Sequence, residues 1–288
     1  MSVVSYLLVA YKSRAQIGAT LTAIKAQRGD FEREVIVVEN YPQESCAEIV
    51  FQALPEARLI VNSRNEGFTR ALNQALHNAT GDFHFVLNPD VELGPHCTET
   101  LLKVLSEPET WAAAPQLRFA GGEVQFSVRN FPTFLTLIWE FSGLSRLFPN
   151  SSVFGRWRNQ RFDHRSRALV EQPMASAFLM RREVFDKLGD WDERFFIFFS
   201  DVDYCKRIAA VGGKIIFAPA ATATHQVGGS TRQEGNWLIY ESHRSFYRYL
   251  AKHELVGIRY LLRPAAMLLL SLGAIGRALC RKLTGRLF

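Results

Sequence analysis

At 288 residues, 48% of them apolar, the chain is long enough for one large domain with a substantial core, and its composition excludes a disordered or low-complexity protein. Its net charge of +6 is unevenly placed: Ser242 to Phe288 holds nine Lys and Arg against one acid, so the first 241 residues are slightly acidic. That confinement argues against nucleic-acid binding, and four scattered cysteines, at 46, 97, 205 and 280, argue against a disulfide framework or a compact zinc site and favour a reducing compartment.

Val3 to Ala10 is apolar and β-prone, lacks the basic start of a signal peptide, and is expected to form a first strand. Ala15 to Gln27 has helical spacing through Ile17, Leu21 and Ile24. Glu34 to Asn40 reads as strand, Glu44 to Ala53 as helix, Ala57 to Asn62 as strand and Phe68 to Asn78 as helix, before a fourth strand from Asp82. This βαβαβαβ alternation predicts an α/β fold, a Rossmann-like, mostly parallel central sheet with helices on both faces. The first turn, Ala10 to Arg14, has no Gly-x-Gly-x-x-Gly, and no Walker A loop occurs in the chain, which argues against dehydrogenases and P-loop nucleotidases.

The strand ends gather Tyr11, Glu39-Asn40, Asn65-Glu66-Gly67-Phe68 and Asn88-Pro89-Asp90 along one edge, where open α/β sheets bind ligands. The fourth strand runs straight into Asn-Pro-Asp and delivers one carboxylate there. Asp90 is therefore a candidate ligand for a divalent metal that would neutralise a diphosphate, the bland alternative being an ordinary Asx turn.

Further on, Gly94 to Leu105 reads as helix, and Trp111 to Arg118 and Val124 to Arg129 as strands. Phe131 to Arg165 is aperiodic, and its aromatic and basic side chains are expected to pack beneath a long loop rather than shape an acceptor groove. Small residues at Ala175, Ser176 and Ala177 would allow a substrate close to the backbone. The apolar run Phe195 to Phe199 leads to carboxylates opening a helix from about Val202 to Val211, closed by Gly212-Gly213. A short strand, Lys214 to Ala218, precedes His225. Glu234 to His253 is expected to be helical, and beyond it Pro264 to Gly276 is a run of 13 uncharged residues flanked by arginines. A membrane span needs about 20 residues, so this run is expected to lie in the interface of an anionic membrane.

Val9-Ala10-Tyr11-Lys12-Ser13, Val37-Val38-Glu39-Asn40, Asn65-Glu66-Gly67-Phe68 with Asn73, and Asn88-Pro89-Asp90-Val91 resemble the successive motifs of family 2 glycosyltransferases of the GT-A fold, particularly bacterial rhamnosyltransferase-like members. Phe198-Phe199-Ser200-Asp201-Val202-Asp203-Tyr204-Cys205-Lys206-Arg207 resembles the family's Phe-x-Glu-Asp-Val-Asp-x-Cys-x-Arg signature, and His225 before Gly228-Gly229-Ser230 its C-terminal His motif. Lys12 stands for a usual Asn, Glu39 for a usual Asp, Arg70-Ala71 where small residues are common, and Ser200 for a usual Glu.

The resemblance implies a donor site of Val9, Ala10, Tyr11, Glu39, Asn65, Gly67, Phe68, Asn73, Asn88 and Asp90, with Glu39 on the nucleoside and Tyr11 against the base. It implies a manganese or magnesium ion on Asp90 and His225, Asp201 as general base of an inverting transfer, and Ala175, Ser176 and Asp203 on the acceptor side. L-Rhamnose from a dTDP donor is the first expectation for the sugar; a UDP-hexose or UDP-galactofuranose donor is the alternative. The acceptor would be a hydroxyl of a cell-surface or lipid-linked glycan, at the inner face of the cytoplasmic membrane. Residues 1–110 would form the nucleotide-sugar half and 111–230 the acceptor half of one GT-A domain, with 231–288 a helical tail. Competing readings are a non-catalytic nucleotide-sugar-binding subunit, for which Ser200 would be the sign, and a sugar-phosphate nucleotidyltransferase, which would need a glycine-rich basic loop after the first strand.

Overall fold

A computed structural model describes residues 1–226 and 235–284. Gly228-Gly229-Ser230, the predicted helix start at Glu234 and Arg286 lie outside the described residues. The chain runs β1 (Ser2–Ala10), α1 (Ile17–Lys25), β2 (Phe31–Glu39), α2 (Ala47–Ala53), β3 (Arg58–Val61), α3 (Phe68–Asn78), β4 (Phe83–Leu87), β5 (Val91–Leu93), α4 (Cys97–Leu105) and β6 (Thr110–Arg118). It continues through β7 (Val128–Arg129), α5 (Phe134–Phe141), α6 (Leu144–Leu147), β8 (Ala168–Leu169), β9 (Gln172–Pro173), β10 (Ala177–Arg181), α7 (Arg182–Leu188), α8 (Ser200–Ala210), β11 (Lys214–His225), α9 (Trp237–His253) and α10 (Arg263–Thr284).

The strands of the main sheet follow the order β3-β2-β1-β4-β10-β6-β11-β5, with β8 pairing β11. The first four are parallel, as the alternation predicts. Register sets the working edge: Ala10 lies opposite Glu39 and Leu8 opposite Leu87, so the loops after β1, β2 and β4 emerge side by side. The departure is β10, which enters between β4 and β6 antiparallel to both. Reversed, it places its leading residues, from Ala177 back to Ala175, beside the carboxyl end of β4. An isolated five-residue strand carries no period that would reveal this pairing in the sequence.

Both faces of β1 are covered, which is why its apolar run is nearly continuous. Leu7 and Val9 pack with Ala71, Leu72 and Ala75 of α3 and with residues of α8 and α9. Val4, Tyr6 and Leu8 pack on the opposite side with Ile17, Leu21 and Ile24 of α1 and Leu101 of α4.

Three expectations need correction. The strand expected over Val124 to Arg129 is confined to β7, Val128–Arg129, with Val124 in an isolated bridge to Arg118. Phe131 to Arg165 is not wholly irregular, since α5 and α6 form within it. The strand expected over Lys214 to Ala218 extends to His225, its register with β6 shifting between Ala218 and Thr222, where Pro219 interrupts the pattern. The tail is also more helical than its apolar run suggests. Gly257 to Leu283 is, among the described residues, the one helical stretch long and apolar enough to cross a membrane by length and composition. One stripe of α10, Ala266, Leu270, Ala274 and Ala278, is nevertheless buried against the protein.

Candidate active site

A cavity of about 350 Å³ opens at the carboxyl edge of the sheet, within the size range of small-molecule sites. Asp90 lines one part of it and Asp201 another. The sheet brings His225 to Asp90: Val91 pairs with His225 at the end of β11, and Gln226 N donates to Asp90 O at 3.0 Å. His225 Nε2 thus stands 3.4 Å from Asp90 Oδ1. On the far side of the ring Nδ1 meets Gln125 Oε1 at 3.0 Å. With the Gln125 carbonyl as acceptor, a neutral ring carries its proton on Nδ1 and turns the lone pair of Nε2 toward a carboxylate oxygen. Two acceptors facing each other, the imidazole buried and the carboxylate partly exposed at the cavity, suit a cation between them, and imidazole plus carboxylate is a donor set for manganese or magnesium. Gln125 would fix the tautomer, as outer-shell partners of metal-binding histidines do.

Asp201 occupies the first turn of α8. The preceding Phe199 is held at φ 66°, an uncommon conformation for an aromatic residue, by stacking on Phe246 of α9 at 5.0 Å. The Asp201 carboxylate accepts from Val202 N at 2.9 Å, and at 3.4 Å from Ala175 N and Gln172 Nε2. Burial raises its pKa above the ordinary carboxylate value, and these backbone donors and the charge of Arg129 only partly offset that rise. A carboxylate so placed, open on the cavity side alone, is suited to take a proton.

Val9, Tyr11, Asn65, Phe68, Asn88, Ala175 and Ser176 face the same cavity. Asn88 and Ser176 are joined by Asn88 N to Ser176 O at 2.9 Å and by their side chains at 3.2 Å. Ala10 is a buried strand residue and does not line the cavity. Glu39, expected on the nucleoside, is buried and does not line the cavity: Oε2 accepts from Ser45 Oγ and Cys46 N at 2.9 and 3.0 Å, and burial followed by this carboxylate pushes the Cys46 thiol up to about 12.

Three further predicted site residues are committed elsewhere. Gly67 has φ +88°, and a Cβ there would come within 2.7 Å of the Phe196 ring, so its smallness admits protein and not ligand. Phe196 O accepts from Phe68 N at 2.8 Å and so caps α3. Asn73 pairs with the backbone of Trp191, donating to its O at 2.9 Å and accepting from its N at 3.0 Å. Asp203, placed by resemblance on the acceptor side, is fully buried away from the cavity. Its Oδ1 meets Lys252 Nζ and His253 Nε2 of α9, each at 2.6 Å, and Arg207 Nε is 3.2 Å from Oδ2. Burial works to raise its pKa, but the His253 and Lys252 contacts prevail and lower it. Asp203 is a bolt between α8 and α9.

Gln125 and Gln172, which contact His225 and Asp201, and the α9 residues Trp237 and Leu238, which line the cavity, are not assigned to the site by the sequence. They lack a local signature; each reaches the site through a pairing distant along the chain.

A mixed sheet with this cavity at the end of its parallel half defines the GT-A class of glycosyltransferases. Among solved structures, a mannosyltransferase of Pyrobaculum calidifontis in complex with GDP-Man and Mn2+ superimposes with a TM-score of 0.61, at 17% identity over 96% of this chain and 74% of that one. TarS residues 1–349 of S. aureus in complex with UDP gives 0.53, at 18% identity over 86% and 65%. The chain belongs to the glycosyltransferase-like family 2, whose model matches residues 3–245. It is similar to the N-acetylglucosaminyl-diphospho-decaprenol L-rhamnosyltransferase of Mycobacterium tuberculosis, 27% identical over 229 residues, 75% of this chain and 74% of the relative. It is also 25% identical over 186 residues to the rhamnosyltransferase WbbL of Escherichia coli, 63% of this chain and 66% of that one.

Proposed function

We propose that the protein is an inverting, metal-dependent transferase that moves L-rhamnose from dTDP-L-rhamnose to a hydroxyl of a glycan or lipid-linked glycan, at the inner face of the cytoplasmic membrane. The observation that carries the proposal is that the Asp90–His225 pair and the partly buried Asp201 carboxylate face one cavity. The donor diphosphate lies at Asp90 and His225, with Tyr11, Asn65 and Phe68 along the nucleotide and Glu39 behind them. Asp90 and His225 would hold a divalent cation, which would supply charge neutralisation on the departing diphosphate. Asp201 takes the proton of the acceptor hydroxyl as that oxygen attacks C1 from the face opposite the leaving group. Ala175 and Ser176 leave room for the acceptor beside it. Both curated relatives named above are rhamnosyltransferases, which favours this sugar over a UDP-hexose or UDP-galactofuranose.

The test is calorimetric binding of dTDP, UDP and GDP, each with and without Mn2+, to the wild type and to Asp90→Ala. Manganese-dependent binding of dTDP that is lost in the variant is the expected result. Preference for UDP would overturn the rhamnose assignment, and binding indifferent to both metal and Asp90 would overturn the metal site.

A further inference from the structure

Four arginines gather around Glu140 of α5, and one of them, Arg129, also lies close to Asp201. Arg129 lies on β7 opposite Gln172 of β9, whose side chain touches Asp201. Its guanidinium sits over the Trp157 ring, 5.0 Å from the centroid. The next residue, Arg158, holds Glu140 of α5 in a two-pronged pair, Nε to Oε1 at 2.8 Å and Nη2 to Oε2 at 2.6 Å. α6 and α10 both pack on α5, and they bring Arg146 and Arg277 within electrostatic reach of Glu140 and of each other. Glu140 acts on Arg158, Arg146, Arg277 and Arg129, and Asp201 acts on Arg129, so four arginines face two carboxylates.

The cations are close enough to disfavour one another. Arg129 and Arg277, although exposed, are set among enough protein for desolvation to lower their pKa values; Arg158 lowers both further, and Arg146 acts on Arg277. Among the described residues, Arg129, Arg146 and Arg277 form no ion pair within 4.0 Å, whereas Arg156 and Arg158 each have a glutamate. A fold that holds like charges together on an open surface favours a polyvalent anion between them.

The cluster also adjoins an apolar surface. α10 turns Ala266, Leu270, Ala274 and Ala278 inward, while Met267, Leu268, Leu272, Ile275 and Leu279 are 48–60% exposed along its outer side. One stripe of α10 is thus packed on protein and the other is apolar and exposed, a two-sided pattern that suits a helix lying along a bilayer surface.

We propose that Arg129, Arg146, Arg158 and Arg277 form an anion site, separate from the donor site, for the diphosphate of a membrane-borne acceptor whose hydrocarbon chain follows the exposed face of α10. This deepens the transferase proposal and rests on it, since it is Asp201 that makes this side the acceptor side. Arginine forks match phosphate oxygens, and the apolar face matches what a lipid diphosphate would carry beyond them.

The experiment is co-sedimentation of the full chain with phosphatidylcholine vesicles carrying farnesyl diphosphate, or carrying phosphatidylglycerol at matched surface charge. It is run on the wild type and on Arg129→Gln/Arg277→Gln, with thermal melting and nucleotide calorimetry of both proteins. The wild type should prefer the diphosphate vesicles by at least about tenfold, equivalent to roughly 1.4 kcal/mol, and the variant should lose that preference with nucleotide binding intact. Equal binding to both vesicles, or a variant that behaves as wild type, would overturn the diphosphate site. Free inorganic pyrophosphate binding as tightly as the vesicle-borne diphosphate would overturn the lipid half. Should the pair of substitutions unfold the protein, the single Arg277→Gln on the exposed helix gives the same readout. Diphosphate-vesicle binding by a wild type that binds no nucleotide would instead strike the transferase proposal.

Discussion

His225 Nε2 faces Asp90 Oδ1 at 3.4 Å because β5 and β11 pair Val91 with His225, although 134 residues separate the paired positions. The contact is therefore a property of the sheet register, and in the proposed metal site Gln125 would keep the lone pair of Nε2 turned toward the carboxylate. Gln125→Leu should weaken manganese-dependent nucleotide binding about tenfold, the low end of the usual loss for an outer-shell partner, while metal-independent binding stays the same. Calorimetry at fixed nucleotide with titrated Mn2+ reads this directly. An unchanged manganese dependence would mean that Gln125 does not orient the ring.

Asp201→Asn should abolish transfer and also stabilise the fold. Burial raises the folded-state pKa of Asp201, so its contribution to stability is fully present below the unfolded carboxylate value near 4 and is lost as pH rises through the folded value. Near pH 8 the wild type bears the cost of a desolvated charge that asparagine does not. The variant should melt higher than wild type at pH 8, with the difference shrinking toward pH 4. Wild-type transfer should fall on acidification as Asp201 takes up a proton. A lower melting temperature for the variant at pH 8 would contradict the assigned environment.

Lys252 joins two carboxylates, Asp203 Oδ1 at 2.6 Å and Asp192 Oδ2 at 2.7 Å. Lys252→Ala leaves both without that cation and should cost about 3 kcal/mol by urea unfolding at pH 7. At both acids burial works to raise the pKa and the charged hydrogen bonds outweigh it, so both values are lowered. Their stabilisation is present above the unfolded value and lost as pH falls through the folded values. Acid destabilisation between pH 5 and about 2 should therefore be shallower in the variant than in the wild type.

Asn73 and Gly67 separate a structural from a ligand role. Asn73→Ala removes two buried hydrogen bonds to Trp191 and should destabilise by about 2 kcal/mol. Nucleotide affinity should move less than about twofold at temperatures where the variant is folded, since Asn73 does not line the cavity. A tenfold loss of affinity without loss of stability would return it to the donor site. Gly67→Ala meets the Phe196 ring as well as an unfavourable φ, and should lower the melting temperature by more than a typical surface change.

The sequence alone determined the parallel half of the sheet, because strands buried on both faces need long apolar runs and their crossovers need amphipathic helices of readable period. It also marked Asp90 as a carboxylate at a strand end, and by resemblance Asp201 and His225. The tertiary structure decided which motif residues reach the cavity. Asn73, Gly67 and Asp203 are motif residues, yet they hold Trp191, Phe196 and α9, and no spacing in the chain distinguishes a group that holds a neighbour from one that holds a substrate. Gln125, Gln172 and Arg129 lay in stretches without signature and became visible only where β7, β9 and β11 brought them beside the carboxylates. The physical reason is one of range. Periodicity reports burial between neighbours along the chain, whereas a site is assembled by pairings between strands up to 134 residues apart, whose register is fixed by packing of the whole sheet.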